Sequence, residues 1–305
     1  MALKIKKSND ITWLNIVDIN EEDLKYLADN YHFHPLDIKD IRGEAQRSKI
    51  DIYPSYAFII LRFPVTYKDS NLIGSHELDI FFGKDYVITI QKKKNRTLNN
   101  YFYRVSGNKR LQHEIFQGKA TFLLYHILEE LYRSSFTMID WLDKEITRIE
   151  AEVYEESTRQ AVKDLAQARR NVLSFRSIID PQRFVIRTLV NLKKEYINGD
   201  DQIYFDDIAD YIERIYNLLN NHKDLIDGLN ETNESLTRHR LNRVMRILTI
   251  FSVSLLPLTL FTGLYGMNLR SLPLMHNEIL VWWIFGGLGA IIIAIFIWLK
   301  KKDII

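Results

Sequence analysis

The last fifth of the chain is almost free of charge, and this constrains its fold more than any other feature. From Ile247 to Leu299 only Arg270 and Glu278 are charged, whereas the first 246 residues carry 37 basic and 37 acidic side chains. The region contains two stretches without a charge, 19 residues from Ile247 to Tyr265 and 20 residues from Leu280 to Leu299. As helices, each would rise about 30 Å, the thickness of the hydrocarbon core of a bilayer. A soluble protein can bury one such helix, but two of them within the last 59 residues predict a membrane hairpin.

The flanks of the two stretches predict how the hairpin is oriented. Basic residues crowd the two ends that would share one side of the membrane, and the positive-inside rule places that side in the cytoplasm. They are Arg238, Arg240, Arg243 and Arg246 before the first stretch and Lys300, Lys301 and Lys302 after the second. No cleavable signal is visible at the start of the chain. We therefore expect a multi-pass protein of the cell membrane, with both termini in the cytoplasm and the loop outside.

Charge and composition exclude several other classes of protein. The formal net charge is only +2, which argues against a nucleic-acid partner, and the absence of Cys excludes disulfides and thiol chemistry. We find no phosphate-binding Gly-rich loop, no nucleophile elbow and no catalytic pair of carboxylates, so we expect neither an enzyme nor an organic cofactor. His32 and His34 could share one side of a strand, but without a third ligand they are more typical of surface or turn residues.

The first 200 residues predict an α+β cytoplasmic domain, a sheet layer plus long helices. Residues 11–19, 50–67 and 76–90 are rich in Ile, Val, Tyr and Phe and predict strands, while Asn20 followed by three acids predicts a helix N-terminus. From Gly118 onward helical periodicity predicts a pair of long antiparallel helices. The predicted division is 1–117 for the α/β domain, 118–200 for the helix pair, 201–265 for a stalk helix with the first span, 266–279 for the loop, and 280–305 for the second span and basic tail.

The stalk helix carries an apolar seam with alternating steps of four and three residues, which is a heptad pattern. Its members are Ile208, Ile212, Ile215, Leu219, His222, Ile226, Leu229, Asn233 and Leu236. One helix could therefore run from about Ile203 to Tyr265. Two interpretations are open. The helix is either a coiled-coil stalk that only tethers the body to the membrane, or its repeat continues into the lipid with residues that do not form an apolar zipper.

The same spacing, continued into the first span, collects small and polar residues. The continuation is Arg238, Asn242, Met245, Thr249, Ser252, Leu256, Thr259, Gly263 and Gly266. Small and hydroxyl residues on one face serve helix packing in lipid, but they also suit the wall of a pore, and the spacing alone does not choose between the two. A pore would need several copies of this helix around an axis.

The first span ends in Gly266, Met267 and Asn268. A Gly-Met-Asn triplet closing the first of two C-terminal spans resembles the CorA family of divalent-cation channels, and the resemblance covers the whole layout of the chain. It implies a homopentamer that conducts Mg²⁺, with Co²⁺ and Ni²⁺ as further ions, down the membrane potential. Carried onto this chain, it places a ring of Asn268 amides and Gly266 carbonyls at the outer mouth.

The resemblance also assigns the wall of the pore and a collar beside the membrane. The implied pore and gate residues are Asn242, Met245, Leu248, Ser252, Leu256, Thr259 and Gly263. Met245, Leu248 and Leu256 would form an apolar constriction that gates by dewetting. The four arginines and three lysines named above resemble the basic collar of the family, although topology and lipid headgroups explain them equally well.

Regulation in the family uses Mg²⁺ bound between neighbouring cytoplasmic domains. The resemblance places Asp207 at the acidic sensor position, with Asp69 as the nearest candidate for its partner. A solvated helix start explains the acids around Asp207 as well. Mg²⁺ would thus be both the transported ion and a regulatory ligand.

The loop departs from the family pattern, because Leu274 stands where many members carry an acid. Glu278 could replace that acid in attracting cations, and the positive charge of Arg270 would oppose the attraction.

Two alternatives to a magnesium channel remain. One is a zinc transporter of the related ZntB-like group, whose triplet usually differs from Gly-Met-Asn; the other is a membrane-anchored coiled-coil scaffold or sensor that conducts nothing.

Overall fold

The computed structural model describes residues 3–8, 10–43, 47–67, 70–116, 119–156, 159–192, 201–267 and 278–301. The chain forms two compact units, Met1–Asn230 and Glu231–Ile305. Each unit is described by itself below. The five-part division expected from the sequence remains a prediction.

The first unit is built on a six-stranded mixed sheet with the order β1-β2-β6-β5-β4-β3. Only β2 and β6 run parallel, and every other neighbouring pair is antiparallel. The strands are β1 (Leu3–Ser8), β2 (Ile11–Val17), β3 (Lys49–Ile52), β4 (Tyr56–Tyr67), β5 (Leu72–Gly83) and β6 (Tyr86–Gln91). The three predicted strand regions are confirmed. Two of them each contain two strands, because the chain turns at Pro54 and again after Gly83.

The sequence analysis missed β1. This strand lies at one edge of the sheet and pairs only with β2. Its sequence, LKIKKS, is half lysine, a composition that hides a strand signal. Lysines on an edge strand discourage pairing with another chain, so the feature that obscures the strand also protects it.

Alternation along the strands buries both faces of the sheet. On one face Leu14, Phe58, Ile60 and Phe81 form a core with helices α1 (Glu21–Tyr31) and α2 (Pro35–Arg42). Asn20 caps α1 in a capping box with Asp23, which confirms the predicted helix start. The two histidines occupy helix ends, as expected of turn residues. His32 is the left-handed C-cap of α1, and His34 caps α2 by accepting from the amide of Leu36 at 3.2 Å.

The other face of the sheet packs against α3 (Arg96–Gly107) and the long helices α5 (Ala120–Glu156) and α6 (Arg159–Val190). The short helix α4 (Lys109–Ile115) connects α3 to α5. Trp13 meets Phe102 of α3 at 4.9 Å, and Phe63 meets Tyr132 of α5 at 5.2 Å. The helices α5 and α6 are antiparallel, as predicted, because Tyr132 bonds Gln182 at 2.7 Å while Arg148, further along α5, pairs with Asp164, further back along α6.

The helix α7 (Gln202–Gly266) supplies the apolar seam. Every seam residue from Ile208 to Leu229 is buried, so this part of the repeat is already covered within one chain. Contacts to α5 advance in the same direction along both helices, from Tyr125 with Asp207 to Asp143 with His222. Contacts to α6 advance in opposite directions, from Arg183 with Glu213 to Arg169 with Asp227. The helix therefore packs parallel to α5 and antiparallel to α6.

The second unit contains the end of α7 and the helix α8 (Glu278–Lys301). Both helices are long and apolar enough to cross a membrane. The ring of Phe261 meets that of Phe285 edge-on at 4.9 Å, so the two helices pack against each other. Pro257 lies inside α7 and interrupts its hydrogen-bond ladder.

Candidate functional site

The span of α7 has one face turned toward α8. Its half-buried residues recur at steps of four and three: Ile250, Ser254, Leu258, Phe261 and Tyr265. Phe261 lies on this line and contacts Phe285. The half-buried residues of α8 include Val281, Phe285, Leu288, Ile292 and Phe296, again at helical spacing. These two lines are the contact faces of the hairpin.

The predicted pore residues lie on the opposite face of α7. A residue turns an α-helix by about 100°, so a step of two residues, such as Ser254 to Leu256, leads to nearly the opposite side. All seven predicted residues are exposed in the single chain: Asn242, Met245, Leu248, Ser252, Leu256, Thr259 and Gly263. Met245 is 59% exposed, Leu248 56% and Leu256 64%. The polar line is therefore not used to pack α7 against α8.

Hydroxyl groups on this face are partly satisfied by the helix itself. Thr259 Oγ1 donates to the carbonyl oxygen of Leu255 at 3.0 Å, and Thr249 Oγ1 donates to that of Met245 at 2.8 Å. Each hydroxyl proton is thereby directed at the backbone, and the oxygen retains lone pairs as an acceptor. Such oxygens can accept hydrogen bonds from the water shell of a cation.

The described part of the Gly-Met-Asn triplet consists of its first two residues. Gly266 is the last residue of α7, and Met267 follows it with an exposed side chain. Asn268 lies outside the described residues. Its predicted role is therefore not tested by the geometry.

The predicted basic collar is exposed wherever its side chains are described. Arg238 forms an ion pair with Glu234 one turn earlier, at 3.3 Å, and both side chains are exposed. The side chains of Arg240, Arg243, Arg246 and Lys301 are exposed as well. Lys302 and the side chain of Lys300 lie outside the described residues. Exposed pairs of this kind contribute little to stability.

The predicted sensor residue Asp207 lies near the start of α7 with its carboxylate exposed. Tyr125 of α5 donates its hydroxyl to Asp207 Oδ2 at 3.0 Å. Burial of the phenol, followed by its hydrogen bond to Asp207, raises the pKa of Tyr125 well above its usual range, so the phenol keeps its proton. Asp69, the predicted partner, lies outside the described residues, so its place beside Asp207 stays a prediction.

The sequence did not single out the polar side chains on the part of α5 that contacts Asp207. Tyr125 and His126 are adjacent in the chain, Glu129 lies one turn further along α5, and His126 Nδ1 stands 3.2 Å from Glu129 Oε2. Glu129 also pairs with Arg133 at 2.5 Å. The three- and four-residue spacing of these polar groups is a signal that could have found them. Among the described residues, no three His, Asp or Glu side chains stand close enough to hold a metal ion.

A second acid, Asp79, was also missed. It lies in the middle of β5, is fully buried, and neither carboxylate oxygen has a hydrogen-bond partner among the described residues. Burial, with the nearby charge of Glu77, raises the pKa of Asp79 well above its usual value. Its cross-strand neighbours Ile60 and Ile90 are apolar, while the charges of Glu77, Lys92, Asp40 and Lys49 are close enough to act on it.

Comparison with known proteins supplies the family. The family described as CorA-like Mg²⁺ transporter protein matches residues 8–301. The chain is 27% identical over 302 residues to the cobalt/magnesium transport protein CorA of Thermotoga maritima, covering 99% of this chain and 85% of that protein.

Two solved structures share the fold. The CorA magnesium transporter from Methanocaldococcus jannaschii matches with a TM-score of 0.82 at 21% identity, over 97% of this chain and 92% of that one. The cytoplasmic domain of ZntB from Vibrio parahaemolyticus matches with a TM-score of 0.63 at 16% identity, over 75% of this chain and 88% of that one. The fold alone therefore does not distinguish a magnesium transporter from a ZntB protein.

The fold and the apolar helices define a class: membrane proteins in which a mixed sheet and a layer of long helices precede a two-helix hairpin. Within that class the chain belongs to the CorA-like Mg²⁺ transporter family, since the family match spans nearly its whole length. The predicted fold class is confirmed.

Proposed function

We propose that this protein is a passive, homopentameric channel for Mg²⁺ in the cell membrane. Five copies of α7 would surround the pore, with both chain termini in the cytoplasm. The membrane potential would drive entry, at about 2.3 kcal/mol per charge for each 100 mV and so about 4.6 kcal/mol for a divalent ion. Family membership supports the transport of a divalent cation.

The observation that carries this proposal is the division of the α7 span into two faces. One face, marked by Phe261, is used by α8. The opposite face is exposed and bears hydroxyl, amide and glycine positions that α8 does not need. Other copies of α7 around a water-filled axis would use this polar face, whereas lipid alone would not favour it.

The chemistry of that face suits a hydrated Mg²⁺ ion. Mg²⁺ gives up its water shell reluctantly, so neutral oxygens that bond to the shell can select the ion without stripping it. Asn268 would provide such amides at the outer mouth, and Ser252 and Thr259 would provide hydroxyls below it. Met245, Leu248 and Leu256 would form the apolar gate.

Regulation would use Asp207 as a cation ligand between neighbouring copies, with Asp69 as its partner. Tyr125 supports this assignment because its bond to Oδ2 leaves Oδ1 of Asp207 available. Occupation by Mg²⁺ would hold the copies together and keep the pore shut. Replacing both acids by Ala should reduce the sensitivity of the channel to millimolar Mg²⁺.

A cysteine scan tests the two faces directly, because the natural chain contains no Cys. Ser252 and Ser254 are two residues apart and lie on opposite faces of α7. We would introduce Ser252→Cys and, as the matched control, Ser254→Cys. A charged methanethiosulfonate reagent should abolish most Mg²⁺ flux into proteoliposomes containing the first variant and leave the second nearly unchanged.

The result that contradicts the proposal is equally simple to recognise. Block at position 254 with none at position 252 would place the pore on the wrong face. Absence of flux from the untreated wild type would favour the non-conducting scaffold. A mass of five chains for the detergent-solubilised protein, measured by native mass spectrometry, checks the assembly.

A zinc transporter is the second candidate, supported by the ZntB fold match. Intact Gly-Met-Asn favours Mg²⁺, since that triplet usually differs in the ZntB-like group. Parallel flux measurements with Mg²⁺, Co²⁺, Ni²⁺ and Zn²⁺ separate the two. Conduction of Zn²⁺ in preference to Mg²⁺ would replace the magnesium assignment.

A further inference from the structure

A cavity of about 330 Å³ lies at the edge of the sheet where β3 stops covering β4. The strand β3 pairs only with Ala57–Ile60, so the later part of β4 extends past it. The helix α6 closes the cavity from another side. Its lining residues come from four separate segments: Arg47, Ser48, Arg62, Tyr67, Gly74, Ser75, Ser174, Ser177, Ile178 and Pro181.

The cavity is positively charged. Arg47 and Arg62 line it, and none of its described lining residues carries a carboxylate. Arg62 Nε and Ser48 Oγ are buried and have no hydrogen-bond partner in the part of the chain that the structure describes. Glu77 lies directly opposite Arg62 in the β4–β5 register, but it forms its ion pair with Lys92 at 2.5 Å. Unused donors in a buried place are costly, and an anion would satisfy them.

The walls of the cavity are fixed by contacts of their own. Ser174 Oγ donates to the carbonyl oxygen of Ile73 at 2.8 Å, which fastens α6 to β5. The ring of Tyr67 lies over Gly74, so closely that a Cβ at this glycine would stand 2.4 Å from Tyr67 Cε2. A side chain at this position would displace the ring. The arginines therefore lie beside a partly open recess whose walls come from β4, β5 and α6.

We propose that this cavity binds a phosphoryl group, either as inorganic phosphate or as a small phosphomonoester. Two guanidinium groups can each present paired N–H donors to the oxygens of a tetrahedral dianion, with the hydroxyl of Ser48 as a further donor. The volume accommodates a phosphate with a small attached group but is at the lower limit for larger ligands. A carboxylate carries a single charge and two oxygens, and would leave part of this donor set unused.

Isothermal titration calorimetry on the full-length protein in detergent tests the proposal. Inorganic phosphate and glycerol 3-phosphate are titrated separately in metal-free buffer at constant ionic strength, with acetate as the comparison anion. We expect saturable phosphate binding that Arg62→Gln weakens about tenfold or more and Arg62→Lys weakens less. Arg170→Gln, an exposed arginine on α6 outside the cavity, should bind like the wild type. Tighter binding of glycerol 3-phosphate than of phosphate identifies the phosphomonoester as the ligand.

Three results would overturn the proposal. They are no saturable heat with either phosphate compound, equal affinity in Arg62→Gln, and acetate binding as tight as phosphate binding. Circular dichroism checks that Arg62→Gln is folded. If it is not, Ser48→Ala takes its place, with an expected threefold or greater loss of affinity; unchanged binding there counts against the site.

Discussion

The helix α7 passes through two stretches that share one spacing and differ in almost everything else. From Ile208 to Leu229 its seam is apolar except for His222 and is buried between α5 and α6. From Met245 to Gly263 similar steps of three and four residues bring hydroxyls, one glycine and three large apolar residues to an exposed face. The first seam is satisfied within one chain, whereas the second is not.

The comparison shows that the spacing of a helical repeat and the type of its residues predict different things. Spacing determines which residues share a face, because the helix turns about 100° per residue. Residue type determines what can cover that face. The apolar seam is covered by the chain's own helices, while the mixed seam of the span is exposed in the single chain; under the proposed function, other copies of α7 and water would cover it.

Among substitutions that test this difference, we expect the largest loss of stability at Ile215, which is fully buried. Ile215→Ala should lower the free energy of unfolding by about 2 to 5 kcal/mol, since it removes buried methyl groups and leaves a cavity. Leu248→Ala, on the exposed seam, should change it by less than about 0.5 kcal/mol. Urea unfolding of the full chain in detergent, followed by circular dichroism, measures both. Equal losses would show that the two seams do not differ as described.

A second test concerns the buried acid Asp79. Asp79→Asn should make the first unit more stable than the wild type at neutral pH, by about 1 to 3 kcal/mol, because the wild type must bind a proton at Asp79 on folding or else bury an unpartnered carboxylate, whereas the amide is neutral in both states. Asp29→Asn, an exposed site on α1, is the control. Thermal unfolding between pH 4 and pH 8 measures the difference.

The sign of the pH dependence follows from the raised pKa of Asp79. Between the unfolded value, about 4, and the folded value, the folded chain holds a proton that the unfolded chain has lost. Wild-type stability should therefore fall as the pH rises through this window, and the advantage of Asp79→Asn should grow. A difference that stays constant with pH would exclude ionisation of Asp79 as its cause.

A smaller effect is expected at Tyr125, where the first unit meets the proposed regulatory cation. Tyr125→Phe removes the hydrogen bond that orients Asp207. We expect the Mg²⁺ concentration that gives half-protection against limited proteolysis to rise about threefold. This change in apparent affinity is smaller than the loss of a hydrogen bond to a charged group in a buried site would cause, because Asp207 is exposed. Tyr204→Phe is the matched control, because its ring contacts Tyr125 without a hydrogen bond to Asp207. Equal shifts in the two variants would remove the positioning role.

The smallest effect is expected at His222, the polar member of the buried seam. Its Nε2 lies 3.2 Å from Asp143 Oδ1, and its Nδ1 is buried without a partner among the described residues. His222→Leu should raise the free energy of unfolding by about 0.5 to 1 kcal/mol, since it removes an unsatisfied atom and completes an apolar seam. A loss above about 1 kcal/mol would mean that the seam depends on its polar contact. Asp143→Asn separates the contribution of the ion pair.

Much of the fold could be predicted from local patterns. The two stretches without a charge predicted the two candidate spans. The seam predicted the ends of α7 almost to the residue, and Asn20 predicted the start of α1. The strand β1 could not be predicted, because its lysines carry the opposite signal. The helix α6 continues through Pro181, although proline usually ends a helix.

The sites were less accessible to sequence reasoning than the fold. Asp79 looks like any strand residue until the apolar neighbours on adjacent strands are known. The cavity beside β4 joins Arg47, Arg62, Ser75 and Ser177 from distant segments, and no spacing links them. The predicted pore face is the exception, because all its residues lie on one helix, where the sequence spacing determines which residues share a face.

Pro257 makes one turn of the membrane span easier to bend than the rest of the helix. It lies inside α7 and has no N–H, so it cannot donate the usual hydrogen bond to the carbonyl oxygen of Val253 four residues earlier. Elsewhere in the span bending stretches this type of hydrogen bond, whereas at Pro257 it is missing. In a medium without water each backbone hydrogen bond is costly to open. A bend of the span would therefore concentrate in this single turn, leaving the segments above and below it stiff.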